Sequence, residues 1–120
     1  MERIQQYYRN FEQEMGYNLF DKEDYVENKT FLLYIHMLLT TEVAEVAEEF
    51  RTMFKLADRL VAEGCNEVDA LERAKGAVRD NLGKELADCL AYLVKFANYF
   101  DYDLETELYT KLEEIKRTRK

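Results

Sequence analysis

The chain has 120 residues, of which 48% are hydrophobic, with four glycines and no proline; this composition predicts one all-helical domain spanning 1–120, long enough for a core and too short for two. A net charge of −8 argues against binding nucleic acid, which carries a field of the same sign. Two cysteines with no CxxC pair and a single histidine argue against a disulfide framework and a zinc site.

The opening residues, MERIQQYYRNFEQE, have neither the apolar centre of a secretory signal nor the basic, acid-poor character of a transit peptide. The longest apolar run, FLLYIHMLL (31–39), is too short to span a bilayer. A soluble cytoplasmic protein with no membrane partner is the expectation. The first helix is predicted from about Glu2 to Met15, stopping near Gly16. Residues 17–28 read as a mixed aromatic and acidic loop. A long helix then runs from about Asn28 to Ala62 and stops at Gly64. Another covers roughly 67–79 with Asn66 as its N-cap. A break around 80–83 separates it from a helix over 84–100. Asp103 caps the last helix, which runs to the basic end KRTRK; cations there offset the helix dipole.

The two central helices carry the chemistry. Leu39, Val43, Val46, Ala47, Phe50, Phe54 and Ala57 form one apolar stripe at helical spacing, with Glu42, Glu45 and Glu49 within about 60° along its edge. In the later helix Leu82, Leu86, Cys89, Leu90, Leu93 and Ala97 make the stripe, and Glu85, Asp88 and Tyr92 line its edge within about 60°. Packing the two stripes together would turn both acidic edges to a common cleft. Carboxylates gathered without a counter-charge repel one another and lose hydration. A hard divalent cation relieves both, and Mg²⁺ commonly bridges protein carboxylates to substrate phosphates. A single Glu-x-x-Glu is usually a solvated helix face; two such pairs bordering apolar stripes point to a site. A ferritin-like di-iron centre normally needs Glu-x-x-His motifs, and His36 lies outside both pairs.

EVAEVAEEF (42–50), ELADCLAYLVKFANYFDYDLE (85–105) and KLEEIKR (111–117) together resemble the MazG-like, all-α nucleoside triphosphate pyrophosphatases, nearest the dCTP pyrophosphatase and integron-associated MazG branch. The resemblance covers roughly 31–117. It implies a four- to five-helix bundle that assembles as a homodimer or homotetramer, with neighbouring subunits helping to complete the site. It implies that Glu42, Glu45, Glu85 and Asp88 are the catalytic ligands of Mg²⁺ (or Mn²⁺), with Glu49 as a further candidate for a second metal or a general base. The reaction implied is hydrolysis of a (deoxy)nucleoside triphosphate between the α and β phosphates, giving monophosphate and pyrophosphate, as housekeeping of the nucleotide pool. Water would attack the α-phosphorus in line, with positioning and electrostatics supplying the catalysis. Tyr92 and Lys111 match residues that contact phosphate. The chain departs from the family in the 39 residues between Glu45 and Glu85, in Ile115 where an asparagine is frequent, and in Thr41 where many members carry another glutamate.

Lys55 is a further phosphate candidate, although a solvated helix lysine is its ordinary reading. For the nucleobase the candidates are Tyr7, Phe11, Phe50, Phe54 and Asn98, with Tyr8, Phe20 and Tyr25 also in the aromatic set. Any single aromatic is more often a core or interface residue. His36, in an apolar run, reads as a packed or interface residue. The rival readings are phosphoribosyl-ATP pyrophosphohydrolase and a non-catalytic acidic helical oligomer that binds nucleotide or a protein partner.

Overall fold

The computed structural model describes residues 1–17 and 20–119. It contains four helices, α1 (Glu2–Met15), α2 (Tyr25–Ala62), α3 (Glu67–Tyr99) and α4 (Leu104–Thr118), and no strand among the described residues. The all-helical expectation holds. Residues 18 and 19 of the predicted loop, and Lys120 of the basic end, lie outside the described residues.

Each helix end has a local cause. α1 stops because Gly16 takes a left-handed φ of 69°, and the Tyr17 N–H then donates to the Glu12 carbonyl at 2.9 Å, as in a Schellman ending. α2 begins three residues earlier than expected, because the Asp24 carboxylate accepts from the Glu27 N–H at 3.0 Å and so caps the first turn. Gly64, at φ 102°, turns the chain after α2. Asn66 caps α3 as predicted, its Oδ1 accepting from the Asp69 N–H at 2.9 Å. Asp103 does the same for α4, accepting from the N–H groups of Glu105 and Thr106.

The predicted break at 80–83 is absent: α3 passes straight through Gly83. The inward positions Ala70, Ala74, Val78, Leu82, Glu85 and Cys89 keep helical spacing across that stretch, and this continuous packing face outweighs the weak helix preference of Asp80, Asn81 and Gly83. A methyl group added at Gly83 meets nothing within 4 Å. Gly83→Ala is therefore expected to raise stability by about 0.5–1 kcal/mol, seen as a higher melting temperature; a lower one would contradict the unbroken helix.

The chain divides into two compact units, Met1–Ile35 with Ala91–Lys120, and His36–Leu90. In the first, Ile35, Val94 and Ala97 are buried and Gln5 ties the ends of helices together. Its Nε2 donates to the Tyr102 carbonyl at 2.6 Å and to Asn98 Oδ1 at 3.1 Å, while its Oε1 accepts from the Leu104 N–H. The second unit is a helical hairpin in which Met53, Ala57 and Leu60 of α2 pack with Ala70, Ala74 and Val78 of α3.

This hairpin corrects the predicted stripes. Val43, Phe50 and Phe54 of α2 and Leu86, Leu90 and Leu93 of α3 are exposed, whereas Glu42, Val46 and Glu49 are half-buried, as are Leu82, Glu85 and Cys89. The short turn fixes the register at Met53, Ala57 and Leu60; continuing backwards at intervals of three and four residues brings Glu49, Val46 and Glu42 inward. Glu42, Glu49 and Glu85 turn toward the hairpin interior while Glu45 and Asp88 stay exposed, and much of the apolar surface faces out. By length and composition alone α2 could cross a membrane, and only 6% of its most apolar window is buried within the chain.

Candidate metal centre

Carboxyl oxygens of Glu42, Glu45 and Glu85 all lie within 4.8 Å of one another. Glu42 and Glu45 sit one turn apart on α2, and Glu85 comes from α3, so two rigid helices hold the trio. Glu42 and Glu85 are half-buried and Glu45 is exposed. Asp88 is exposed and lies outside this trio, although its negative charge acts on Glu42. Glu49, half-buried on the same α2 edge, also lies outside it.

One oxygen each of Glu42 and Glu85 is buried without a hydrogen-bond partner. Ionised carboxylates only accept hydrogen bonds, so neither can satisfy the other. The titration of the cluster reflects this. Hydrogen bonding of its protonated form to Glu45 and Glu42, with burial adding, pushes Glu85 up to about 7 from 4.5. Burial foremost, with the charges of Glu45 and Asp88, raises Glu42 as well. Burial, together with Glu42, Asp88 and Glu85, also raises the Cys89 thiol. Among the described residues no cation acts to lower Glu42 or Glu85, and either a proton or a cation would relieve the crowding.

A hard divalent ion suits that donor set: carboxylate oxygens only, close together, on supports that leave one side open to solvent. Glu42, Glu45 and Glu85 are the residues that would hold it. A stability prediction follows from the raised acid. Between pH 4.5 and about 7 the folded protein holds a proton on Glu85 that the unfolded chain releases. The stabilisation from this group is complete below 4.5 and is lost as pH rises through about 7. In EDTA, melting temperature is expected to fall from pH 5 to pH 8, and Mg²⁺ to restore it more at pH 8 than at pH 5. Equal Mg²⁺ effects at both pH values would contradict proton–cation exchange at this cluster.

The other sequence candidates are placed as follows. Tyr92 is half-buried in the first unit, close enough that it helps raise Tyr8, whose hydroxyl burial foremost pushes up to about 12. Lys111 is exposed on α4 and pairs with Glu114 at 3.7 Å; Lys55 is exposed. Tyr7 is 77% exposed and touches none of these groups through a ring contact among those described. Phe11 packs on Tyr8 and Tyr17 with centroids at 5.7 and 5.8 Å. Phe50 lines an open cavity in the hairpin with Met53, Val78 and Leu86, and Phe54 is exposed. Asn98 spends its side-chain amide on Gln5, accepting from Nε2 and donating to the carbonyl. Tyr25 lies beside Lys29, Phe20 stacks on Phe31, and His36 is exposed rather than packed within this chain.

Sequence reasoning passed over Glu12 and Lys95, a buried ion pair at 3.2 Å in the first unit. Lys95 is the one charge in the apolar run AYLVKFA (91–97), and a cation in such a run is the signal that finds it. Comparison with protein-family models, with curated proteins and with solved structures finds no match for this chain.

Proposed function

We propose that the protein is a Mg²⁺-dependent hydrolase of (deoxy)nucleoside triphosphates, releasing pyrophosphate and the monophosphate. The observation that carries this reading is the convergence of Glu42, Glu45 and Glu85, with two buried oxygens that have no partner. Motif likeness to the MazG-like enzymes over 42–50 and 85–105 supports the same chemistry. A divalent cation held by Glu42, Glu45 and Glu85 would supply neutralisation of the triphosphate and of the charge that develops on the leaving pyrophosphate. The protein's own part is placement: α2 and α3 fix three carboxylates, and exposed Glu45 offers its oxygens to a ligand arriving from solvent. Asp88, on the same helical hairpin as the trio, belongs to the proposal as a fourth ligand.

Self-association is part of this reading. Met37, Val43, Phe50, Phe54 and Leu86 are each 45–55% exposed, and large apolar side chains left open on one hairpin are what a subunit interface covers. Sedimentation is expected to give a dimer or tetramer; a monodisperse monomer at micromolar concentration would remove this part of the proposal.

The direct test is cation binding measured without turnover. Mn²⁺, which reports binding by electron spin resonance, is expected to bind saturably to the parent, to be displaced by Mg²⁺, and to be lost from Glu42→Gln/Glu85→Gln. Equal Mn²⁺ binding in parent and variant would refute the site.

A further inference from the structure

We draw no further inference here: the strongest candidate, the open groove of the helical hairpin between Phe50 and Leu86 with Lys75 and Arg79 in its lining, belongs to the apolar surface already proposed to be covered by self-association, and nothing in the structure shows another occupant.

Discussion

Replacing Glu85 by glutamine is expected to move activity and stability in opposite directions. If the proposed hydrolase reading holds, pyrophosphate release should fall about a hundredfold or more, since losing a cation ligand would remove on the order of 3 kcal/mol of transition-state stabilisation and each 1.36 kcal/mol is a factor of ten. In EDTA at pH 8 the same variant should melt above the parent. There the Glu85 carboxyl, titrating at about 7, is ionised beside Glu42 and Glu45, whereas the glutamine amide is neutral and supplies the donor that the buried Glu42 oxygen lacks. At pH 5 the parent carboxyl holds its own proton and the difference should close. Loss of activity together with lower stability at both pH values would make Glu85 a structural residue.

The second large effect concerns the ion pair of the first unit. Lys95→Met alone removes the counter-charge of the buried Glu12 carboxylate and is expected to destabilise the protein by about 3–5 kcal/mol. With both side chains only 10% and 11% exposed, solvent screens little of this. Glu12→Gln/Lys95→Met removes both charges and should recover most of the loss, as read from denaturant midpoints of the single and double variants. If the single variant costs less than about 1 kcal/mol, the range of surface pairs, the ion pair is not buried in solution.

How much of this could be read from the residues differs from element to element. Gly16, Asn66 and Asp103 announced three helix ends correctly, because caps and left-handed glycines act within one turn and need no tertiary partner. The same local logic failed at Gly83. There the glycine costs less than the packing face that runs through it, and only the continuous spacing from Ala70 to Cys89 carries that information.

The candidate site was legible as a spacing of acids, and the structure brings Glu42, Glu45 and Glu85 together. What the spacing could not supply was the rotation of the helices. An amphipathic helix in a single chain is expected to hide its larger apolar residues. α2 instead turns Val43, Phe50 and Phe54 outward and Glu42 and Glu49 inward, because small Ala57, Ala70 and Ala74 set the packing near the turn. The apolar run around it marks Lys95 itself, but its partner, Glu12, lies 83 positions away in sequence, where no local pattern reaches.

The measurement that bears most directly on the account is product analysis. A panel of deoxynucleoside and ribonucleoside triphosphates would be incubated with the protein and Mg²⁺, beside EDTA and Glu42→Gln/Glu85→Gln controls. The account predicts pyrophosphate and monophosphate in equal amounts from at least one nucleotide, with neither product in the two controls. A folded, Mg²⁺-loaded protein that releases no pyrophosphate from any of them, or that releases it equally from the variant, would contradict the proposed hydrolase.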